Sequence, residues 1–242
     1  LSAHLLNANE RFFMIDCGEG TQFQLRKYHL SLQRIKKIFI SHLHGDHFFG
    51  LIGLLNSMHL LGRKEEIHLY APPALREIIG IQLEASMTIL RFPVEFHPLR
   101  FDTGEVIFED EHLVVQSFPL RHSIPTCGFV FREKNPPRKI AEPRSYAYCS
   151  DTGYSEEVIP WVRHVGLLYH EATFMNDRVV NASETFHSTA AQAAEIALKA
   201  QVKKLLIGHF SARYEDIAML LAEARAVFPE TYAAEEGMVT PV

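Results

Sequence analysis

An α/β fold with layered helices is the fold class this sequence predicts, on three observations. Short β-branched or aromatic runs alternate with helical patterns from end to end. The 242 residues are 47% hydrophobic and 22% charged, an ordinary globular composition with apolar material for a sizeable core. Ligand-type polar residues recur directly after apolar strands, at the sheet edge where α/β folds bind ligands. Disorder, collagen and a disulfide miniprotein are excluded. A single α/β domain can reach about 200 to 250 residues, so one domain over 1–242 is expected.

In chain order the strand patterns fall at Ala3–Leu6, Arg11–Asp16, Ile35–Ser41, Ile67–Tyr70, Val94–Leu99, Val106–Phe108, Leu113–Pro119, Phe129–Arg132, Tyr146–Cys149, Leu167–Tyr169 and Lys204–Gly208. Helical patterns cover Gln22–His29, Phe48–Leu61, Ala74–Leu83, Glu156–His164, Thr189–Gln201 and Tyr214–Phe228. Gly62 stops the second helix and Pro73 opens the third. Thr189 with Gln192 three residues on gives the fifth a capping-box start. Arg132 to Arg144 is the least patterned stretch. Pro136, Pro137 and Pro143 lie there among Arg132, Lys134, Arg138, Lys139 and Arg144, making it the one clearly basic loop.

The longest apolar stretch, Phe48 to Leu61, is interrupted by Asn56, Ser57 and His59 and falls short of the roughly 20 residues a bilayer requires, so no membrane span is expected. Cys17, Cys127 and Cys149 are far apart and odd in number, which suggests neither a disulfide framework nor a thiolate metal site. A reducing cytoplasm fits, with the cysteines as small core residues. The sequence opens at Leu1 in an alternating stretch with no basic leader, and further residues upstream are expected. Lys and Arg number 24 against 29 Asp and Glu, a net charge of −5, so any pull on a polyanion has to come from local basic clusters. Fourteen histidines are the unusual count.

The strongest local signal is Ser41-His42-Leu43-His44-Gly45-Asp46-His47, which follows the buried-strand pattern Ile38-Phe39-Ile40. Histidines at i and i+2 need extended chain, and Gly45 permits a sharp bend after them. His42 and His44 can then point one way, Asp46 and His47 another. Four more strand patterns deliver a polar residue at their ends: His122, Asp151, His170 and His209. Imidazole and carboxylate without thiolate suit zinc, and manganese or iron fit the same atoms. One set is His42, His44, His122 and Asp151; the other is Asp46, His47, Asp151 and His209, with Asp151 bridging two ions. Such a pair lowers the pKa of a shared water and clamps both oxygens of a displacement at phosphorus, which points to hydrolysis. His170 is read as structural.

These residues resemble the metallo-β-lactamase fold, an αββα four-layer sandwich, and within it the ribonuclease Z family of tRNA 3′-processing endonucleases. The marks are Asp16-Cys17-Gly18-Glu19-Gly20-Thr21 with Gln24, the turn at Ser41 to His47, Ser150-Asp151-Thr152, His170-Glu171-Ala172-Thr173-Phe174, and Phe186-His187-Ser188-Thr189 with Gln192-Ala193-Ala194. The resemblance implies that the seven residues of the two sets are zinc ligands, and that Asp46 also accepts a proton from the attacking water. It implies that His187 protonates the leaving 3′ oxygen or steadies the phosphate, with Glu171 orienting it. His187 lies just ahead of a helix start, where free backbone N–H groups favour a phosphate.

The substrate implied is precursor tRNA, cut to leave a 3′ hydroxyl on the tRNA, by a homodimer in which one subunit's flexible arm holds RNA for the other's active site. Only 28 residues separate His122 from Asp151, so the arm is expected either to be lacking or to be left out of this sequence near Ile140 and Ala141, and omission is favoured. The basic loop near 135–144 is where it would be rooted, and Arg132, Lys134, Arg138 and Lys139 are the candidate RNA contacts. Two other functions share the same site: hydrolysis of a thioester, lactone or small phosphodiester, and a metal-stabilised RNA-binding scaffold without activity. The second would require a lost ligand.

Overall fold

The computed structural model describes residues 2–135 and 142–242. They fall into two units, Leu1–Leu99 and Arg100–Val242.

The first unit is a five-stranded sheet in the order β1-β2-β3-β4-β5. Strands β1 (His4–Ala8) and β2 (Arg11–Ile15) form an antiparallel hairpin. Its two turn residues, Asn9 and Glu10, both have positive φ, as a two-residue turn matching the strand twist requires. Helix α1 (Thr21–Lys27) leads to β3 (Ile35–Phe39), a short α2 (Gly45–Phe48), α3 (Leu51–Leu60), β4 (Ile67–Ala71), α4 (Ala74–Ala85) and β5 (Val94–Pro98). From β2 to β5 the strands run parallel. Leu51, Leu54, Leu55 and Met58 recur at helical spacing and bury α3 against Ile38, Ile40, Ile67 and Leu69. The single helix expected over Phe48–Leu61 is two. At the break the Gly50 N–H donates to the Cys17 carbonyl at 2.9 Å, and a methyl on Gly50 would sit 1.9 Å from the Gly18 carbonyl oxygen.

The second unit is a seven-stranded sheet in the order β12-β11-β10-β9-β8-β7-β6. Its elements are β6 (Glu105–Glu109), β7 (Leu113–Leu120), β8 (Thr126–Glu133), β9 (Ser145–Cys149), α5 (Ile159–Val162), β10 (Leu167–Glu171), α6 (Val179–Glu184), α7 (Ala190–Ala200), β11 (Lys204–Gly208), α8 (Ala218–Val227) and β12 (Thr231–Ala233). Strands β9 to β12 are mutually parallel; β8 is antiparallel to both β7 and β9, so β7 points the same way as β9. The residues that follow β7, β9, β10 and β11 therefore emerge at one edge. Ala190, Ala193, Ala194, Ala197 and Ala200 line the buried side of α7, and their small size lets that helix approach the sheet closely.

Two expectations in this unit are corrected. The helix expected over Glu156–His164 is a 3₁₀ turn, Glu156–Val158, running into the short α5. Pro160 has no N–H to return to the Glu156 carbonyl, which prevents a continuous helix. Expected from Tyr214, α8 begins only at Ala218; the Tyr214 hydroxyl instead accepts the Met175 N–H, and Asp216 accepts the Ala218 N–H. Strand β12 and helix α6 were not anticipated. No helix among the described residues is long and apolar enough to cross a membrane.

Candidate active site

In the first unit the Ser41–His47 turn follows β3, beside the end of β2. Asp16, which directly follows that strand with φ near 55°, is fully buried and organises the turn. Its carboxylate accepts the Ser41 N–H at 2.7 Å, the Ser41 hydroxyl at 2.9 Å and His47 Nδ1–H at 2.7 Å. Burial alone would raise the Asp16 carboxyl, but His47, with His42 and Ser41, holds it below the usual carboxylate range. The one Ser41 hydroxyl proton goes to Asp16, so its oxygen accepts from His42 Nδ1–H at 2.9 Å. Both histidines are thereby held in the tautomer whose Nε2 carries the lone pair. The His42 ring lies 4.9 Å from that of His44 and 4.1 Å from that of His47, and Asp46 Oδ2 lies 3.4 Å from His47 Nε2.

The second unit repeats this construction. His122 Nδ1–H donates to the Phe186 carbonyl at 2.9 Å, which puts the lone pair on Nε2. His209 Nδ1 meets the Thr173 hydroxyl oxygen at 3.0 Å, and that hydroxyl is 2.9 Å from Glu171 Oε2. Asp151 lies between the two rings, with Oδ1 3.3 Å from His209 Nε2 and Oδ2 3.9 Å from His122 Nε2. The donor atoms of Asp151, His187 and His209 all lie within 4.8 Å of one another. Each carboxylate oxygen thus faces a different imidazole. His209 and Phe186 both have positive φ, a backbone cost held by the surrounding contacts.

Glu171 is buried at the end of β10 and gathers the rest. Oε1 accepts the Thr152 N–H at 3.1 Å, the Ser188 N–H at 3.0 Å and His187 Nδ1–H at 2.9 Å; Oε2 accepts the Thr173 N–H and hydroxyl, both at 2.9 Å. The His187 ring stacks 5.5 Å from that of His209. His170, the preceding residue, is buried with Nδ1 on the Glu171 carbonyl, and burial lowers its pKa. The backbone N–H groups expected to receive a phosphate ahead of α7 are otherwise engaged, which corrects that expectation. Ser188 N donates to Glu171, Thr189 N to Gln192, Ala190 N to Phe174, Ala191 N to Glu223 and Gln192 N to Thr189.

Of the candidate RNA contacts, Arg132 donates to the Trp161 carbonyl at 2.9 Å and Lys134 pairs with Glu109; Arg138 and Lys139 lie outside the described residues. All three cysteines are buried, and burial pushes the Cys17 thiol up to about 12. Phe48 is core, whereas Phe49 is 58% exposed. The sequence reading assigned no task to Asp16, Ser41 or Thr173. Each stands at or just after a strand end, but only Ser41 is next in sequence to the histidine it holds; Asp16 and Thr173 reach theirs across 31 and 36 residues.

Residues 11–210 match the family model of the beta-lactamase superfamily domain. A ribonuclease Z of Bacteroides thetaiotaomicron is 42% identical, with 98% of this chain and 88% of the relative covered. One from Azobacteroides pseudotrichonymphae is 45% identical over 100% of this chain and 92% of its own. The crystal structure of the short form of human tRNase Z superposes with a TM-score of 0.84 at 33% identity, covering 100% of this chain and 93% of that one. Two mixed sheets with flanking helices, the strand-end histidines and these matches agree: the chain belongs to the metallo-β-lactamase superfamily and, within it, to the ribonuclease Z family.

Proposed function

We propose that this chain is a metal-dependent endoribonuclease that removes the 3′ trailer of precursor tRNA and leaves a 3′ hydroxyl on the tRNA. The observation that carries this reading is the shared tautomer of His42, His47, His122 and His209: each has Nδ1 held by an oxygen, so each offers Nε2, in a chain 42–45% identical to ribonucleases Z. Such oxygen partners on the second ring nitrogen are the usual support of metal-ligating histidines. His42, His44, His122 and Asp151 would hold one ion, and Asp46, His47, Asp151 and His209 the other. Zinc suits these donors first, and manganese or iron are compatible. Bound there, two ions lower the pKa of a shared water and offset charge on the phosphate.

The protein's own groups then divide the proton work. Asp46 accepts the proton of the attacking water, whose oxygen bonds to phosphorus. His187, with Nδ1–H on Glu171, acts as the imidazolium, giving its Nε2 proton to the departing 3′ oxygen as the phosphorus–oxygen bond breaks and returning to the neutral ring. RNA would be recognised by shape and a single-stranded 3′ end. Arg132, Lys134, Arg138 and Lys139 remain the proposed RNA contacts. The 278-position alignment with the Bacteroides relative is longer than this 242-residue chain, so that relative carries segments this chain lacks. The RNA-binding arm is proposed to be rooted near 135–144, in residues beyond those of this sequence. A single domain over both units, a homodimer and a cytoplasmic location complete the proposal.

Incubating the purified chain with a 3′-extended precursor tRNA, with and without chelator, and sizing the products tests it. Release of the trailer, lost on chelation and restored by zinc, is expected. Intact RNA alongside turnover of a thioester, lactone or small phosphodiester would overturn the substrate, and RNA binding without any turnover would overturn the enzyme.

A further inference from the structure

Away from the strand-end turn, the first sheet carries a second group of metal-type donors. His68 on β4 and Glu95 on β5 are direct partners in the parallel register, and His97 lies two residues beyond Glu95, so all three share one face of the sheet. His68 Nδ1 is 3.2 Å from His97 Nε2 and 3.2 Å from Glu95 Oε2, while Glu95 Oε1 is 3.6 Å from His97 Nε2. A tetrahedral ion with bonds of about 2.0–2.1 Å needs donors about 3.3–3.4 Å apart, so the three residues already stand at close to the edge lengths of such a site. We propose that His68, Glu95 and His97 form an auxiliary zinc-type site, with the fourth position open to solvent, separate from the hydrolytic ligands.

Two further contacts prepare these side chains for that task. Glu66 Oε2 lies 3.5 Å from His68 Nε2, the ring nitrogen facing away from the group, so a carboxylate is in place to accept the ring proton at Nε2 when an ion takes Nδ1. Tyr70 stacks on the His97 ring at 4.3 Å and 11°, which holds its plane. Lys37, opposite His68 in the register, faces the group and weakens attraction for a divalent ion. The side chains are 28% (His68), 50% (Glu95) and 32% (His97) exposed, so an ion can enter and leave without opening the core. Two imidazoles and a carboxylate select late first-row divalent ions over magnesium or calcium.

Equilibrium dialysis of the full chain against zinc buffered in the micromolar range reads the site directly. The wild type should take up one zinc equivalent more than His97→Gln, with the remaining equivalents and the far-UV circular dichroism of the variant unchanged. Glu66→Gln should weaken that one equivalent about tenfold, as loss of a supporting carboxylate does. Zinc should also shift the ring proton resonances of both His68 and His97. If His97→Gln fails to fold, Glu95→Gln provides the same comparison through a half-exposed side chain. Identical uptake by wild type and a folded variant at every zinc concentration, or histidine resonances that do not move, would overturn the site. Both readouts are differences confined to this group, so they are independent of whether the strand-end ligands serve RNA cleavage.

Discussion

His187 Nδ1 lies 2.9 Å from Oε1 of Glu171, a carboxylate with no exposed surface that also takes four further donors from Thr152, Thr173 and Ser188. Every proton around it points inward, so its acceptor capacity is what fixes the proton of His187 on Nδ1. Glu171→Gln would turn an amide N–H₂ toward N–H donors, at a cost of about 1–3 kcal/mol of stability. Cleavage should fall by roughly 10²- to 10⁴-fold, as loss of a positioned acid does. His187→Ala should fall comparably, and the double variant no further than the worse single one, because the two act as a unit. Single-turnover cleavage of precursor tRNA by the three variants measures this; fully additive losses would separate the residues.

Asp46 is assigned the water's proton, and its side chain is 39% exposed beside His47 Nε2. RNA affinity comes mainly from phosphate contacts elsewhere. Asp46→Ala should therefore abolish cleavage while leaving precursor tRNA binding within a few-fold of the parent. Gel-shift affinity measured beside single-turnover rates decides the matter. Parallel loss of binding, cleavage and secondary structure would mean that Asp46 is needed for the turn rather than for the reaction.

The local metal grammar was open to sequence reading because it is a property of strand ends. Asp151, Glu171 and His209 follow or end parallel strands, and alternation and short apolar runs reveal such strands. Asp16 and Thr173 were quoted as marks and given no task, because a carboxylate or hydroxyl bonding across 31 or 36 residues leaves no periodic trace. The same is true of Glu223, which reaches Ala191 from α8 and uses up a donor that the sequence assigned to phosphate. His68, Glu95 and His97 did leave a trace: Glu66-x-His68 and Glu95-x-His97 put like residues on one face of adjacent strands. Pairing of β4 with β5 had to be known before that trace meant anything.

Close backbone approach, beside the Asp16 carboxylate, positions the Ser41–His47 turn in the first unit. A methyl on Gly50 would lie 1.9 Å from the Gly18 carbonyl oxygen, and one on Gly18 would lie 2.4 Å from the Asp46 carbonyl oxygen. Backbone atoms cannot rotate away as a flexible side chain can. Gly50→Ala should lower stability by at least about 1–3 kcal/mol, the range for overpacking, whereas Ala at Gly80, which meets nothing within 4 Å inside a helix, should be neutral or stabilising. Thermal unfolding of both variants checks the contrast.

The base of the basic loop is closed by Glu133 and Arg144, and this pair has a pH signature. Arg144 Nε donates to Glu133 Oε2 at 3.0 Å and its backbone N–H to the same oxygen at 3.0 Å, while the backbones join through Glu133 N–H to the Arg144 carbonyl. The hydrogen bonds from Arg144 hold the Glu133 carboxyl below its ordinary value of 4.5. A carboxyl with a lower pKa folded than unfolded contributes stability that is fully present above the unfolded value and is lost as pH falls through the folded one. Arg144 is 40% exposed, so the contribution is discounted to about 0.5–1 kcal/mol. Arg144→Ala should therefore lower the melting temperature by a degree or several at pH 6–8. The gap should narrow steadily as pH drops below 4.5, where the wild type loses what the variant never had. Melting curves of both proteins between pH 3 and pH 8 measure it, and a gap that widens toward acid would show that Arg144 acts through its stem rather than through the Glu133 carboxylate.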